Sequence, residues 1–382
     1  MRGTKNPPNK ERNMEKKKKA LKITLSIIAG IVLGLAVILG LVKVGERLFF
    51  APFYFNATTE FKTPGLADGL VQQGFDYYEG DPNTEDDDRF LVSGYMAQSK
   101  KEKPVSSRIY VLDKNGKVLS FTQLKENDAT TKYTGHCGGI VHNGEYIYVS
   151  NDDNNDMSLD VFKLDDVLNG REETAKLGSI YVYQKPAFCY IIDGKLYTGN
   201  FHREETRGAK EPDKEYLSPD HVIALGDDMS DALMTVFELD NEKYADNYGV
   251  AYEPCEAFAI PSQVQGMCMT KEGNIVFSTS WGLSISKLYM YNLNVVKANK
   301  DTRTEKALFT DEAIYGEHAT DKKIPLYVMG EADLFRTVSA PPMAEEMVYL
   351  DGKVYIMNES ASNKYIFGRF LSGAYVSAFK VN

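Results

Sequence analysis

The segment PAFCYIIDGKLYTGNFH (186–202) is one of five similar segments in the chain. Its first nine residues align without gaps with four other nonapeptides, and every copy ends in Glu, Asn or Asp followed by Gly. A second run of strand-forming residues follows each copy, directly in four cases and after the acidic insertion DPNTEDDD (81–88) in the first. Because Gly and Asn tolerate the positive φ of a tight turn, each junction predicts a β-hairpin. The other nonapeptides are QQGFDYYEG (72–80), HCGGIVHNG (136–144), QGMCMTKEG (265–273) and AEEMVYLDG (344–352).

Further strands predicted around each hairpin complete a four-stranded unit. Short runs rich in Tyr, Val, Ile and Phe alternate with Gly, Asn and Asp, and no sustained helical period appears after residue 50. Four-stranded antiparallel units that repeat along a chain are typical of a β-propeller, in which ring closure protects the sheet edges. The predicted third strands are 107–116, 221–228, 286–293 and 373–381, and the predicted fourth strands are 118–124, 179–184, 233–239 and 325–331.

The sequence therefore predicts an all-β fold, a single propeller of five four-stranded blades. Six blades are the alternative, because another could lie in the long intervals 202–262 or 294–340, and a sandwich or an open repeat array is the competing architecture. The last copy stops after its third strand, and residues 52–62 form an unassigned strand near the N-terminus. We expect this N-terminal strand to supply the missing outer strand and close the ring.

Charge is divided unequally between the N-terminal segment and the rest of the chain. Residues 1–22 contain nine Lys or Arg and two Glu, a net charge of +7, which leaves −17 for the remainder of a chain of net charge −10. Residues 23–42 carry no charge, and about twenty apolar residues match the ~30 Å hydrocarbon core of a bilayer. We therefore predict a transmembrane helix at 23–44 in contact with the lipid bilayer.

The apolar segment predicts an uncleaved, single-pass signal-anchor in a cell membrane. A cleavable signal peptide is the alternative, but the apolar run is long and no small-residue cleavage motif follows it. By the positive-inside rule, the basic tail at 1–22 is expected in the cytoplasm and the C-terminal part outside. A juxtamembrane segment with the closing strand is predicted at 45–64, and the extracytoplasmic propeller at 65–382.

Composition limits the class of protein. The chain is 43% apolar, 26% charged and 12% aromatic, with a mean hydropathy of −0.35. These values are those of a globular protein and exclude a disordered chain, a collagen-like chain and a multi-span membrane protein. The acidic outer part has no basic stripe interleaved with aromatic residues, which argues against nucleic acid as a partner.

Chemistry is expected at the central channel, where the blades meet. In a propeller, the loops before the innermost strands and after the second strands lie on one face. Polar side chains from five repeats would converge there, and convergent polar groups in a concavity are the default site hypothesis. The candidate ligand-binding residues are Gln72, Gln73, Gln265, Asn151, Asn200, His202, Trp281, Asn358 and Glu359.

Three residues of this face have a more specific predicted role. His136 is the candidate catalytic residue, as a general base, and Glu345 and Glu346 are candidate Ca²⁺ ligands because Ca²⁺ prefers carboxylate and amide oxygens. Trp281, the only Trp, could stack on a sugar or an aromatic ligand. Each has a structural alternative: glutamines could bond to backbone groups in the channel, a lone His is more often structural, and Trp281 could pack at the rim.

Four cysteines lie beyond the apolar segment: Cys137, Cys189, Cys255 and Cys268. An even number outside the membrane permits two disulfides in three possible pairings. Cys189 and Cys268 occupy the same position in their nonapeptides, where a small buried residue fits. Free buried thiols are therefore the alternative to disulfides.

The nonapeptide-plus-strand pattern resembles the propellers of the SMP-30/gluconolactonase and strictosidine synthase families over about residues 65–382. The resemblance implies a propeller whose channel-facing Glu, Asn and Asp residues bind a divalent cation, and enzymes that open lactones or act on esters. In that pattern the leading glutamate is followed by glycine, whereas here Glu345 is followed by Glu346.

Two functions of different classes follow from these observations. The first is a membrane-anchored extracytoplasmic propeller that binds a cell-envelope ligand, a glycan or a partner protein at its channel face. The second is a divalent-metal-dependent hydrolase or lyase of the lactonase-like type, in which Glu345 or Glu346 would hold Ca²⁺ with Asn151, Asn200 and Asn358.

Overall fold

The computed structural model describes residues 9–81, 83, 87–151, 157–202, 224–225, 228–229, 232–365 and 367–381. The chain consists of two compact units, residues 1–49 and residues 50–382. The described residues of the first unit form a single α-helix, Asn9–Phe49. Between Asn13 and Phe49 this helix is long and apolar enough to cross a membrane, as the uncharged run predicts.

The second unit is a five-bladed β-propeller, which confirms the predicted fold class. Blade 1 carries a fifth strand in parallel at its outer edge, where Gln123 pairs with Glu173, and blade 2 has four antiparallel strands. From the channel outward, blade 1 consists of Leu70–Tyr78, Arg89–Met96, Arg108–Asp113, Val118–Lys125 and Glu173–Ala175, and blade 2 of Ile140–Asn143, Tyr146–Ser150, Ser158–Lys163 and Gly178–Tyr181.

The remaining blades follow in chain order around the ring. Blade 3 consists of Phe188–Ile192, Lys195–Gly199, Ala232–Glu238 and Glu256–Ile260, extended by Lys323–Val328 and Arg303–Ala307. Blade 4 consists of Val264–Met269, Asn274–Thr279, Ser286–Asn292 and Leu334–Ala340, and blade 5 of Ala344–Leu350, Lys353–Asn358, Tyr375–Phe379 and Ala57–Lys62. A separate two-stranded ribbon pairs Ala224–Leu225 with Asp228–Met229.

The N-terminal strand closes the ring, as predicted. Ala57–Lys62 pairs antiparallel with Tyr375–Phe379, so that Ala57 lies opposite Phe379. Only the second half of the predicted strand 52–62 is extended, because Ala51–Tyr54 forms a short helix with Pro52 in its first turn. Phe53 of this helix is buried and stacks on Phe379 at 5.6 Å, which fixes the start of the closing strand.

Two strand predictions in the long intervals were wrong. The predicted third strand 221–228 lies partly outside the described residues, and its described part forms the ribbon; the third strand of blade 3 is Ala232–Glu238, which was predicted as a fourth strand. The predicted fourth strand 325–331 instead pairs in parallel with blade 3, where Ala257 lies opposite Leu326. Ala224–Leu225 and Lys323–Val328 are extended, but long connections leave the choice of partner strand undetermined by local pattern.

Among the described residues, five large hydrophobic clusters lie one between each pair of neighbouring blades, and a small sixth contains Leu66, Ala361 and Ala374. Side chains alternate between the two faces of each sheet, so Phe188 packs toward blade 4 while its neighbour Cys189 packs toward blade 2. The cluster between blades 5 and 1 includes Phe75, Phe90 and Val348. Because that cluster joins the two ends of the repeat array, it excludes an open array.

The hairpin turns have the predicted chemistry. Asp193 and Gly194 both have positive φ, and so do Asp351 and Gly352, as a two-residue turn of type I′ requires. Short helices fill the connections: Leu164–Leu168, Leu293–Ala298 and Glu312–Tyr315 are α-helical, and Ala245–Asn247, Gly316–His318, Glu331–Asp333, Glu359–Ala361, Phe367–Phe370 and Ser372–Ala374 are 3₁₀ helices.

Candidate functional site

The channel has two mouths that present different residues. We call the face where the inner strands begin and the second strands end the upper mouth, and the face with the hairpin turns, such as 193–194 and 351–352, the lower mouth. Each inner strand contacts the inner strand of the next blade, and that of blade 5 contacts that of blade 1. Polar residues at the ends of these strands are therefore neighbours around one axis.

Glycines allow the inner strands to approach closely at this axis. A Cβ atom on Gly139 would lie 2.6 Å from the backbone nitrogen of Cys189, and one on Gly266 would lie 2.3 Å from the Cα atom of Glu346. Neither position can accept a side chain without displacing backbone. The pairing register also shifts between Ala344 and Met347, which places Glu345 and Glu346 in a bulge.

Glu346 lies inside the channel, fully buried, and binds backbone groups of two other blades. One carboxylate oxygen accepts from the backbone N–H of Ile140 at 2.9 Å and the other from that of Cys189 at 3.2 Å. Burial raises the pKa of Glu346 well above its usual range, although nearby backbone N–H groups act in the opposite direction. The side chain therefore links blades 2, 3 and 5.

Glu359 occupies the upper mouth at the start of a short 3₁₀ helix that follows the second strand of blade 5. Its Oε2 atom accepts a hydrogen bond of 2.8 Å from the Gln73 side chain of blade 1, and Tyr365 interacts with the same carboxylate. Gln73 also donates to the Gln72 carbonyl at 2.9 Å. Two residues 286 positions apart in the sequence are thus in direct contact at the predicted face.

The environment of Glu359 combines burial with nearby positive charge. Burial raises the pKa of its carboxyl, and the charges of His136 and Lys364, with the bonds from Gln73 and Tyr365, offset this only in part. Burial and the negative charge of Glu359 together raise the pKa of Tyr365. A buried carboxyl with a raised pKa beside specific charged partners is the pattern found at functional sites.

Aromatic rings and a lysine surround this carboxylate. The rings of Tyr95 and His136 lie 5.0 Å apart, and the Lys364 ammonium donates to the Tyr95 hydroxyl at 2.5 Å. Lys364 also lies 5.1 Å from the centre of the Tyr95 ring, within the range of a cation–π contact. We call Gln73, Tyr95, His136, Glu359, Lys364 and Tyr365 the mouth cluster.

The side chains of the three predicted asparagines form hydrogen bonds with backbone groups at the upper mouth. The Asn151 side chain accepts from the backbone N–H of His136 at 3.2 Å, and that of Asn200 accepts from the N–H of Leu233 at 2.8 Å. Asn358 donates its side-chain amide to the Pro342 carbonyl at 3.1 Å, and its own carbonyl accepts from Gln72. These asparagines position the loops of the mouth.

The other predicted residues lie around the same mouth with different exposure. His202 and Glu345 are buried, Gln265 is half-buried, and Trp281 is 48% exposed with its ring 5.9 Å from that of Phe201. The carbonyl of His202 accepts from the backbone N–H of Gln263, which joins blade 3 to blade 4. Trp281 is therefore the most exposed of the predicted ligand-binding side chains.

Glu345 and Glu346 do not fit a shared calcium site. The Glu346 carboxylate is occupied by backbone N–H donors, and a cation there would face their positive ends. Among the described residues, no group of three or more His, Cys, Asp or Glu side chains is placed to hold a metal ion. Calcium binding by the chain stays a prediction without an assigned set of ligands.

Sequence reasoning missed Lys364 and Tyr365. Both lie in the insertion between the second and third strands of blade 5, which the repeat pattern leaves unassigned. The Arg369 guanidinium fixes this insertion by donating to the Ala361 carbonyl at 2.8 Å and to the Leu66 carbonyl. The only signal in the sequence was the length of the interval between 358 and 373.

All four cysteines are free thiols. Cys137, Cys189 and Cys268 are buried, and Cys255 is half-buried, so the free-thiol alternative is confirmed. Cys189 packs toward the preceding blade, blade 2, whereas Cys268 packs toward the following blade, blade 5. The hairpin turn of blade 4 is longer than that of blade 3, so the same position in the nonapeptide lies on the opposite face of the sheet. Their shared position in the nonapeptide therefore does not mean a shared environment.

Comparison with known proteins gives architectural likeness only. No protein-family model matches the sequence, and no curated protein matches it significantly. Solved structures similar to this chain include a glutaminyl cyclase from Myxococcus xanthus (TM-score 0.39, 9% identity, 85% of this chain and 95% of that one). An aldose sugar dehydrogenase from Streptomyces coelicolor with bound PQQ has a TM-score of 0.34 at 13% identity, over 79% of this chain and 76% of that one. An exo-β-1,3-galactanase from Phanerochaete chrysosporium with bound β-1,3-galactotriose has a TM-score of 0.44 at 10% identity, over 85% of this chain and 64% of that one.

Proposed function

We propose that this chain is a membrane-anchored, extracytoplasmic propeller that binds a glycan of the cell envelope at its upper mouth. The observation that carries the proposal is the mouth cluster, in which the buried Glu359 carboxylate meets groups from blades 1 and 2. The N-terminal helix supports the membrane attachment by its length and composition. The basic tail at 1–22 supports a cytoplasmic N-terminus.

The chemistry of the upper mouth suits a ligand with many hydroxyl groups and apolar ring faces. Glu359 accepts hydrogen bonds, Lys364 donates them, and the amide of Gln73 can do both. A bond between a sugar hydroxyl and a carboxylate is charge-assisted, and such bonds are roughly twice as strong as neutral ones. Trp281 and Phe201 add an exposed aromatic surface at the same face.

A glycan array probed with the full chain in detergent tests the proposal. Titration calorimetry with the oligosaccharide that binds best then measures affinity. We expect Glu359→Gln to weaken binding at least about tenfold, because a charge-assisted bond becomes a neutral one. Glu331→Gln is the matched control, since Glu331 is exposed in the short helix before the outer strand of blade 4, outside the cluster. Absence of binding to any glycan, or equal affinity of Glu359→Gln and the wild type, would contradict the proposal.

The aromatic surface is tested separately. Trp281→Ala should weaken binding of the same oligosaccharide about tenfold, because stacking contributes on the order of 1 kcal/mol or more. Phe335→Ala is the control, since Phe335 is 50% exposed, close to the 48% of Trp281, and lies on the outer strand of blade 4. If both variants bind like the wild type, the ligand does not use the Trp281 side of the mouth.

A hydrolase that acts at the same mouth is the second candidate. The raised pKa of Glu359 and its proximity to His136 favour it, because perturbed carboxyl groups beside a histidine are typical of acid–base catalysis. Incubation with the bound oligosaccharide and with lactone and ester panels, in EDTA and in added Ca²⁺, tests this candidate. Turnover that Glu359→Gln abolishes would establish an enzyme, and turnover only with Ca²⁺ would establish the metal dependence.

The orientation is tested on intact cells. A membrane-impermeant amine reagent should label lysines of residues 65–382 and leave those of residues 1–22 unlabelled until the membrane is permeabilised. The opposite pattern would reverse the proposed topology, and release of the propeller without its helix would show a cleaved signal peptide.

A further inference from the structure

The lower mouth of the channel contains a cavity of about 270 Å³ that the mouth cluster does not touch. Four of the five inner strands or their ends contribute to it, those of blades 1, 2, 3 and 5. The volume lies just below the roughly 300–1,000 Å³ of pockets for drug-sized ligands, so it suits a smaller molecule. Its lining residues are Asp76, Tyr77, Glu79, Val141, His142, Tyr190, Ile191, Val348 and Tyr349.

Asp76 is the buried acidic group of this cavity. Its Oδ2 atom accepts from the backbone N–H of His142 at 3.0 Å and lies 2.6 Å from the His142 Nδ1 atom. The Oδ1 atom accepts no hydrogen bond from any residue that the structure describes. Asp76 is only 8% exposed, so one oxygen of a nearly buried carboxylate is left for a ligand.

The charge of the cavity is negative. Glu79 adds an exposed second carboxylate at the rim, and neither Lys nor Arg is among the lining residues. His142 is the one basic group, and its imidazole shares the Oδ2 atom of Asp76. Whether His142 is neutral or protonated, the two carboxylates therefore leave a net negative charge for a cation that enters.

The remaining lining is aromatic and aliphatic. Tyr77, Tyr190 and Tyr349 contribute aromatic rings to the cavity wall. Three aliphatic side chains complete the wall, those of Val141, Ile191 and Val348.

We propose that this lower-mouth cavity is a second ligand site, which binds a small organic ammonium ion. Carboxylates bind the charged group, and aromatic rings attract cations electrostatically while they also cover the carbon chain. A bare metal ion would leave the rings and aliphatic side chains unused. The cavity and the mouth cluster share no residue, so this site stands independently of the proposed glycan binding.

Titration calorimetry on the full chain in detergent tests the site with n-butylammonium chloride and with 1-butanol, its neutral counterpart of the same carbon chain. We expect the ammonium ion to bind at least about tenfold more tightly than the alcohol, because only the ion gains from the two carboxylates. Asp76→Asn keeps the shape of the side chain and removes its charge, and it should lower the affinity for the ammonium ion about tenfold or more.

Glu79→Gln is a second variant in case Asp76→Asn does not fold, because Glu79 is exposed and its replacement leaves the pair of Asp76 and His142 intact. It should lower the affinity by a smaller factor, roughly threefold, as expected for a charge screened by solvent. Glu331→Gln, which removes a carboxylate elsewhere, should bind like the wild type. Equal binding of ammonium ion and alcohol, or wild-type affinity in both Asp76→Asn and Glu79→Gln, would overturn the proposal.

Discussion

The two mouths of the channel are built from the same inner strands, yet they surround their carboxylates differently. At the upper mouth, Glu359 lies among Gln73, Tyr365 and the charges of His136 and Lys364. At the lower mouth, Asp76 has a single partner residue, His142, and one oxygen without a bond to a described residue. The difference shows that one ring of strands can present a carboxylate with many side-chain partners on one face and a carboxylate with few on the other.

Glu346 is fully buried in the channel, and its removal should have the largest effect. Glu346→Ala leaves the buried N–H groups of Ile140 and Cys189 without their acceptor. We expect a loss of about 3 kcal/mol in the free energy of unfolding, because each unsatisfied buried donor costs about 1–3 kcal/mol and the contributions are not additive. Urea unfolding at pH 7 measures it, with Glu331→Ala as the control. A loss below about 1 kcal/mol would show that the carboxylate does not join the blades.

Much of the fold could be predicted because its determinants are local. The turn chemistry at Asp193 and Asp351 and the period of the strands identify hairpins without knowledge of the rest of the chain. The parallel pairing of Ala257 with Leu326 could not be predicted, because a strand in a long connection has several possible partners. The closing strand was predictable only because the last repeat lacked one.

The candidate site was predictable in position and less so in detail. The repeat register placed Gln73 and Glu359 on one face, and they are in contact. The register could not show that Asn200 would bind backbone, or that Glu346 would turn into the channel, since both depend on how neighbouring strands approach. Lys364 lies in an insertion that has no counterpart in the other repeats, so the repeat pattern could not predict its position.

Asn358 distinguishes positioning from binding at the upper mouth. Asn358→Ala removes the amide that donates to the Pro341 and Pro342 carbonyls. We expect a loss of about 1 kcal/mol in the free energy of unfolding, the usual contribution of a side-chain hydrogen bond. Asn115→Ala, at an exposed turn, is the control. An unchanged stability together with lost glycan binding would instead make Asn358 a ligand contact.

The lower mouth should make stability depend on pH through His142. Burial acts to lower the pKa of His142, but the Asp76 carboxylate outweighs it, and the pKa is raised from its usual 6.5. A raised pKa in the folded state adds stability below pH 6.5 that is lost as the pH rises through the folded value.

His142→Gln measures that contribution. The free energy of unfolding of the wild type should exceed that of this variant by about 0.5 kcal/mol at pH 5.5, a small value because the pair is partly solvated. The difference should shrink toward pH 8.5, where the imidazole loses its proton. Thermal melts across this range measure the difference. A difference in stability that increases as the pH rises would mean that the imidazole is neutral in the pair.

The contact between Gln73 and Glu359 tests most directly whether distant repeats meet at one mouth. A double-mutant cycle with Gln73→Ala, Glu359→Ala and the double variant measures their coupling by urea unfolding. Contacting residues couple by roughly 0.5 kcal/mol or more, and we predict a coupling of at least about this size. If the losses of the two single variants add up to that of the double variant within about 0.3 kcal/mol, blades 1 and 5 do not bring these side chains together. That result would contradict the account.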